Sequence, residues 1–268
     1  MNEIFLREFA AALQLSREKG IGAAAFRRLL DLCGMPSLAL EHWQESFQDK
    51  PRSRQSRQKS PTAAMIEAAI AKIAGGEMQG YYYSQSGYPS QLNDLGEPPP
   101  VLFSSSPIRP VRFAAVVGAR KISEAAIAPA QDMVRQLVSE GYAIVSGGAE
   151  GADAVALQKS LDSGAYTAAV FATGLDVVYP AANACLFEKI RQAGVLLSEM
   201  MPGARPQRSF FPARNRIIAA LADVVAVVQA GENSGSLITA AWASRLGRRI
   251  LILPPPNDAD STWAGSRR

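Results

Sequence analysis

The second half of the sequence alternates short apolar runs with longer helical patterns, and this alternation limits the possible folds more than any other feature. The runs are rich in β-branched residues and lie at 113–117, 142–145, 168–171, 195–197, 224–228 and 250–253. Strands that alternate with helices favour a parallel sheet covered by helices on both faces, and continuously apolar strands fit that burial. The pattern therefore predicts an α/β domain over residues 111–268.

Helical patterns lie between these runs. They begin near Ser123, Ala152, Asn183, Arg214 and Ser236. Pro129 falls inside the first of them, and proline removes a backbone donor, so this helix is predicted to start late or to kink.

The N-terminal third of the sequence does not show this alternation of strands and helices. Apolar residues recur at helical spacing over 4–33 in two blocks around a Gly20-Ile21-Gly22 turn, and a further helix is predicted over 62–74. These patterns predict a small α-helical domain over residues 1–75. Five cations crowd the polar stretch 49–60, which is either a solvated linker or loop or a nonspecific grip on phosphates. Residues 76–110, rich in Pro, Ser and Gly, are predicted to be a connecting segment.

The charge balance and the two cysteines narrow the class of protein. The chain carries 28 basic and 24 acidic residues, a net charge of +4, which permits an anionic partner without requiring one. Cys33 and Cys185 lack the spacing of a metal or redox pair, which favours a reducing, cytoplasmic compartment. No signal peptide and no apolar run of about 20 residues is evident, so membrane insertion is not expected. We also expect no metal and no cofactor.

The loops that follow the strands carry the candidate binding residues, because ligands of parallel sheets bind beyond the carboxyl ends of the strands. Arg120 follows the first strand and offers a planar fork suited to phosphate. Ser146, Gly147, Gly148 and Gly151 follow the second strand at a helix N-terminus, where backbone N–H groups attract anions. Each loop alone is also compatible with an ordinary tight turn.

A second set of candidates combines aromatic and cationic side chains. The set consists of Tyr179, Phe210, Arg214, Asn215 and Arg216. Bases stack on aromatic rings while guanidinium groups meet phosphates, so this mixture is typical of single-stranded nucleic-acid binding; the alternative is a surface charge cluster with a phenylalanine in the core. Arg214 and Arg216 point about 200° apart on a helix, so they cannot both face one phosphate.

The last candidates follow the fifth strand. Ser234, Gly235 and Ser236 lie at the start of a predicted helix, where they can cap the helix or bind an anion.

In their order, these loops resemble the DprA/Smf family, the DNA-processing proteins of bacterial natural transformation. The motifs that carry the resemblance are Val117-Gly118-Ala119-Arg120, Ser146 to Asp153, Gly174 to Pro180, Ser198-Glu199, Phe211 to Leu221 and Ser234 to Ala240. Six motifs in the right order over about 140 residues are specific, whereas each alone is weak.

The resemblance implies a fold, a function and partners. It implies an extended Rossmann-like domain preceded by a sterile-alpha-motif-like (SAM-like) helical domain. It also implies a homodimer without enzymatic activity that binds single-stranded DNA, protects incoming DNA and helps load a RecA-type recombinase. Two departures stand out: Glu150 occupies a position where the family usually has arginine, and the winged-helix domain that many members carry is expected to be absent.

Two other functions remain open at this point. One is a nucleotide-processing enzyme on a related scaffold, with Glu199 or Asp153 as acid or base; the chain lacks the P-G-G-x-G-T loop of phosphoribohydrolases. The other is a sensor that binds a free nucleotide in the glycine-rich loop.

Overall fold

The computed structural model of the chain describes residues 2–47, 62–255 and 260–267. Contacts divide it into two units. The first comprises residues 1–88 and 96–103, and the second comprises residues 89–95 and 104–268. The predicted basic linker or loop near 49–60 lies outside the described residues.

The first unit contains helices and two short neighbouring strands. The elements are α1 (Glu3–Leu15), α2 (Ala23–Cys33), α3 (Pro36–Phe47), α4 (Ala63–Ala74), β1 (Gln79–Tyr82) and β2 (Val101–Ser104). The ring of Phe9 on α1 meets Phe103 edge-on at 5.7 Å. A Cβ at Gly80 would lie 2.6 Å from the Phe9 ring, so only glycine lets β1 approach α1 this closely.

The predicted helices of this unit are confirmed at α1, α2 and α4. Thr62 accepts a hydrogen bond from the Met65 N–H at 3.3 Å and caps α4. Helix α3 was not predicted. The stretch 76–110 is more than a connecting segment, because it holds β1, β2 and a 3-10 helix (Ser90–Asp94). The likeness to a SAM-like domain stays a prediction.

The second unit is built on six parallel strands in the order β6-β5-β4-β3-β7-β8. The strands are β3 (Phe113–Val117), β4 (Ala143–Ser146), β5 (Thr167–Phe171), β6 (Val195–Ser198), β7 (Ala222–Val227) and β8 (Arg249–Ile252). All residues of β3 to β6 are buried, whereas β8, at the edge, is largely exposed. Central strands of a covered parallel sheet lose both faces to the core, which explains their unbroken apolar character.

Helices cover both faces of this sheet, which confirms the predicted Rossmann-like α/β architecture. They are α5 (Glu124–Ser139), α6 (Ala152–Asp162), α7 (Ala184–Ala193), α8 (Phe210–Leu221) and α9 (Ser236–Arg245). Of the two alternatives predicted for α5, the late start is wrong, because the helix begins at Glu124 and contains Pro129. The kink stays a prediction. Within the described ranges, no helix is long and apolar enough to cross a bilayer.

The segment 89–95 belongs to the second unit although its sequence neighbours belong to the first. Its 3-10 helix packs against α8 and buries Leu92 and Leu95. One guanidinium nitrogen of Arg248 donates to Asp94 Oδ2 at 2.5 Å and to the Ala220 carbonyl at 3.0 Å. This cation therefore ties the segment to the end of α8.

Candidate functional site

The loops after β3, β4, β5 and β7 converge at the carboxyl edge of the six-stranded sheet and enclose a depression with two compartments. The inner cavity has a volume of about 250 Å³, and the adjoining outer groove has a volume of about 710 Å³. Both compartments are lined by Arg120, Ala149, Tyr179, Phe211 and Arg214. We call the two together the carboxyl-edge groove.

Arg214 forms the buried floor of this groove. Its side chain rises from α8 and is only 6% exposed. Nη1 donates to the Val170 carbonyl at 2.5 Å, whereas the buried Nε has no hydrogen-bond partner in the described part of the chain. A buried guanidinium with an unused donor favours an anionic ligand, because an unsatisfied buried donor costs free energy until a partner arrives.

Gly147 makes room for this arginine. A Cβ at Gly147 would lie 2.5 Å from Cζ of Arg214 and closer still to Nη1. The backbone of the β4 loop therefore packs directly on the guanidinium plane. Gly147 was predicted to bind phosphate, and in the structure it also leaves the space that Arg214 occupies.

Asp153 supplies the opposite charge beneath the groove. Burial raises the pKa of its carboxyl, while Arg214 and the Ala149 N–H, which donates to Oδ2 at 3.2 Å, act in the other direction. Burial lowers the pKa of Arg214 to about 10, against the opposing effect of Asp153. Arg214 therefore remains charged at neutral pH. Since Asp153 is 7% exposed and lies at the first turn of α6, its position fits a charge that stabilises the helix and the arginine.

A row of three side chains forms the wall above the floor; Arg120 and Tyr179 are exposed and Phe211 is half-buried. Cζ of Arg120 lies 5.5 Å from the centre of the Phe211 ring, and that ring lies 5.6 Å from the ring of Tyr179. Tyr179 is 43% exposed and precedes a cis peptide bond to Pro180. The row brings two aromatic rings and one cation to the same groove, which are the groups that stacked bases and a phosphate backbone require.

The start of α8 decides which of its residues reach the groove. Five residues of this helix line the groove, namely Phe211, Pro212, Arg214, Asn215 and Ile218, and all of them except Pro212 follow the i, i+3, i+4, i+7 spacing of one helix face. Phe210, predicted to stack on a base, does not line the groove, whereas Phe211 does. The helix begins at Phe210 rather than near Arg214, so Phe210 and Phe211 are both helical and point about 100° apart.

Arg216 is likewise outside the groove. Its Nη2 lies 2.6 Å from Glu199 Oε2, and the two side chains are 16% and 12% exposed. This ion pair joins α8 to the end of β6, and the predicted phosphate contact of Arg216 stays a prediction that the position of Arg216 outside the groove does not support. The expectation that Arg214 and Arg216 cannot share a phosphate agrees with this division.

Two residues of the glycine-rich loop also have structural roles. Ser146 is fully buried, and its hydroxyl donates to the Val116 carbonyl at 2.6 Å, so it joins β4 to β3 and does not line the groove. Gly151, at φ +78°, packs on the carbonyls of Ala119 and Arg120, where a side chain would collide. Gly148 does line the inner cavity.

The loop before α9 closes the far side of the outer groove with Ser234, Gly235 and Ser236. The hydroxyls of Ser234 and Ser236 lie 2.7 Å apart, and Asn215 Nδ2 donates to the Gly235 carbonyl at 3.2 Å. This bond fixes α8 against the loop. Asn215 and the two serines thus lie in the groove, but part of their hydrogen-bonding capacity is used within the protein.

Several groove residues were not among the candidates. Lys121 and Arg208 are exposed and line the outer groove. Asn183 supports the glycine-rich loop by donating to the carbonyls of Gly148 and Ala149 at 3.0 and 3.1 Å. Arg208 lies in the arginine-rich segment 205–216 and can be recognised from the sequence, whereas nothing local in the sequence marks Asn183 as a support for this loop. The charged lining comprises four cations, Arg120, Lys121, Arg208 and Arg214, and two acids, Glu150 and Asp153.

The positions of Glu199 and Asp153 give limited support to an acid or base of a nucleotide-processing enzyme. Glu199 pairs with Arg216 and does not line the groove. Asp153 reaches the groove but is held by the Ala149 N–H. Among the described residues, no cluster of three or more His, Cys, Asp or Glu side chains could hold a metal ion.

Comparisons with known proteins identify relatives. The family model described as DNA recombination-mediator protein A matches residues 79–268. A DNA processing protein DprA assigned in Mycobacterium tuberculosis is 42% identical over 175 residues, which are 64% of this chain and 45% of that protein. The chain thus spans about half the length of this relative.

Two solved structures are similar in fold. The X-ray structure of DNA processing protein A from Streptococcus pneumoniae matches with a TM-score of 0.70 and 28% identity, over 99% of this chain and 90% of the other. That of DNA processing protein A from Helicobacter pylori, solved for its single-stranded DNA binding mode, matches with a TM-score of 0.61 and 28% identity, over 70% and 86% of the two chains.

Proposed function

Because the chain belongs to the DNA recombination-mediator protein A family, also called DprA/Smf, we propose that it binds single-stranded DNA in the carboxyl-edge groove. In this proposal Arg214 receives a phosphate at the floor, and Arg120, Lys121 and Arg208 attract the strand along the wall. Bases stack on Tyr179 and Phe211. Gly147, Gly148 and the Ser234–Ser236 loop offer backbone and hydroxyl groups to the same strand.

The observation that carries the proposal is the buried guanidinium of Arg214 beneath the Arg120–Phe211–Tyr179 row, in which Arg120 and Tyr179 are exposed and Phe211 is half-buried. Duplex DNA hides its base faces inside the helix, whereas a single strand can place bases on rings and phosphates on cations at once. A free mononucleotide would use the inner cavity and leave most of the outer groove empty. The size and the mixed lining of the groove therefore support an extended strand as the ligand.

One titration tests the ligand class. Fluorescently labelled oligo-thymidine, the corresponding duplex and thymidine monophosphate as competitor are compared by anisotropy at two salt concentrations. We expect the single strand to bind most tightly, with an affinity that falls as salt rises. Tight mononucleotide binding without preference for a longer strand would instead support the nucleotide sensor, and base release from nucleoside monophosphates would support the enzyme.

Arg120→Ala tests the wall of the groove. We expect weaker binding and a decrease of about 0.7 in the slope of log affinity against log salt, the value for one phosphate of a single strand. Arg205→Ala is the matched control, because Arg205, between β6 and α8, is an exposed arginine that does not line the groove. Equal effects of the two substitutions would refute a specific role for Arg120.

We further propose a recombination role for the groove. A protein that covers single-stranded DNA protects it from nucleases, and the family suggests that this chain protects incoming DNA in natural transformation and helps load a RecA-type recombinase. A homodimer, a cytoplasmic location and the absence of catalysis belong to the same proposal. Light scattering of the protein with and without oligo-thymidine, and strand-exchange assays with a RecA-type recombinase, would test the assembly and the loading.

A further inference from the structure

Glu150 is the one acidic side chain among the described residues that line the inner cavity, and phosphate binding does not explain its presence there. It is an exposed acid in the loop between β4 and α6, and it lines the same cavity as Arg120 and Arg214. Within the described part of the chain its carboxylate makes no hydrogen bond and no ion pair with either arginine. An unpaired negative charge at this position repels phosphate, so a favourable role requires a different group of the ligand.

The chemistry of DNA limits which group that is. A carboxylate accepts hydrogen bonds and cannot donate them when ionised. Phosphate and sugar oxygens inside a DNA strand are acceptors, so the donors of a single strand lie on the base edges. Amino groups are present on guanine, cytosine and adenine, and guanine adds an adjacent ring N–H that suits two carboxylate oxygens. Thymine has a ring N–H between two carbonyls and no amino group.

The inner cavity has room for one base. Its volume of about 250 Å³ corresponds to about eight water molecules at about 30 Å³ each, which is enough to admit one nucleobase. The rings of Tyr179 and Phe211 line the cavity, and Arg214 lies at its floor and lines the outer groove as well, where the phosphate binds in the proposed function. A base that stacks on these rings presents its polar edge to the cavity lining, of which Glu150 is the acidic member.

We propose that Glu150 reads the edge of a base held in the inner cavity and gives the protein a preference for strands with amino-bearing bases, guanine foremost, over thymine. This inference rests on the proposed single-stranded DNA binding. It makes Glu150 a specificity-determining residue rather than a residue that only weakens phosphate contacts. The preference concerns the bases in the cavity, while the outer groove holds the rest of the strand without regard to sequence.

The test compares four strands of equal length by anisotropy at fixed salt and neutral pH. One is oligo-thymidine, and in the others every third thymidine is replaced by guanosine, cytidine or adenosine, so that guanines are never adjacent. We expect the guanosine strand to bind about fivefold more tightly than oligo-thymidine, the low end for a good bidentate base contact. The cytidine and adenosine strands are expected between the two.

Two substitutions separate base reading from charge. The Glu150→Ala variant is expected to bind oligo-thymidine more tightly than the wild type and to lose the preference among strands. The Glu150→Gln variant keeps one acceptor and is expected to retain part of that preference. Glu124→Ala removes an exposed acid of the same sheet edge that does not line the groove, and it should shift all four strands by one common factor. Unchanged melting temperatures would show that the variants are folded.

Two results would overturn the inference. The first is a wild-type protein that binds the four strands equally. The second is a Glu150→Ala variant that changes all four affinities by the same factor, because Glu150 would then act only as a charge. Failure of every strand to bind would instead refute the proposed function itself, so the two failures are distinguishable.

Discussion

Gly147→Ala should displace Arg214 from the floor of the groove without replacing a charged residue. The added Cβ would lie 2.5 Å from Cζ of Arg214. Carbon atoms in contact are about 3.5–4.0 Å apart, so the guanidinium must move by at least about 1 Å. That movement breaks the bond from Nη1 to the Val170 carbonyl. Gly147 does not have a positive φ, so the backbone itself tolerates alanine.

The size of the effect follows from the group that is displaced. A buried hydrogen bond from a charged donor contributes about 1.5–3 kcal/mol to stability. A loss of about 2 kcal/mol lowers the melting temperature of a unit of this size by about 4–8 °C. We expect the affinity for oligo-thymidine to fall about tenfold, or about 1.4 kcal/mol, because Arg214 no longer meets its phosphate.

The assay combines thermal melting with anisotropy titrations of oligo-thymidine at several salt concentrations. Gly96→Ala is the matched control, since no atom lies within 4 Å of a Cβ built at Gly96 and its φ is not positive. It should change neither the melting temperature nor the affinity appreciably. The salt slope of Gly147→Ala should be flatter by about 0.7.

A double-mutant cycle provides the refutation. If Gly147→Ala acts by displacing Arg214, it should add no further loss of affinity in an Arg214→Ala background, provided that this background still melts cooperatively. An equal loss in both backgrounds would mean that the alanine disturbs DNA binding by another route. The assignment of Arg214 as the floor of the groove would then be wrong.

Substitutions at three further positions address the remaining contacts. Tyr179→Ala should weaken oligo-thymidine binding by about 1–3 kcal/mol and Tyr179→Phe should restore it in the same titration, because the ring and not the hydroxyl stacks on a base. Arg216→Ala should lower the free energy of unfolding, measured in urea, by about 2 kcal/mol, because it leaves Glu199 unpaired; a fully buried pair would cost more. The same substitution should leave the salt slope of DNA binding unchanged. Burial raises the pKa of Asp153 above its ordinary 3.8, so the contribution of its protonation to stability is present at low pH and is lost as the pH rises through the folded pKa. We therefore compare the melting temperature of Asp153→Asn with that of the wild type from acid to neutral pH. As the pH rises, the melting temperature should fall less in the variant than in the wild type. Two pH profiles that run parallel would contradict this expectation.

The strands of the second unit could be predicted because each carries its own signal. A strand buried on both faces must be apolar throughout, so runs such as Phe113–Val117 are recognisable without their neighbours. β1 and β2 could not be found in the same way. Each has four residues within a segment rich in glycine, proline and serine, and their strand conformation depends on pairing with residues far away in sequence.

The candidate site shows the same limit at the level of single residues. The loops were located correctly because the carboxyl ends of parallel strands meet at one edge. The choice between Phe210 and Phe211 depended on the first residue of α8, and boundaries are the least certain part of a helix prediction. Arg214 and Arg216 look alike in the sequence, and only the positions of Val170 and Glu199 decide that one forms the floor and the other an ion pair.

The segment 89–95 has a consequence for synthesis on the ribosome. Its 3-10 helix packs against α8, which begins at Phe210. At about 5–20 residues per second, the roughly 115 residues that separate Leu95 from Phe210 take about 6–23 s to translate. During that interval the side chains of Leu92 and Leu95, buried in the folded chain, have no α8 to pack against. The nascent chain therefore exposes an apolar turn until α8 emerges, and this turn is where we expect a chaperone to bind.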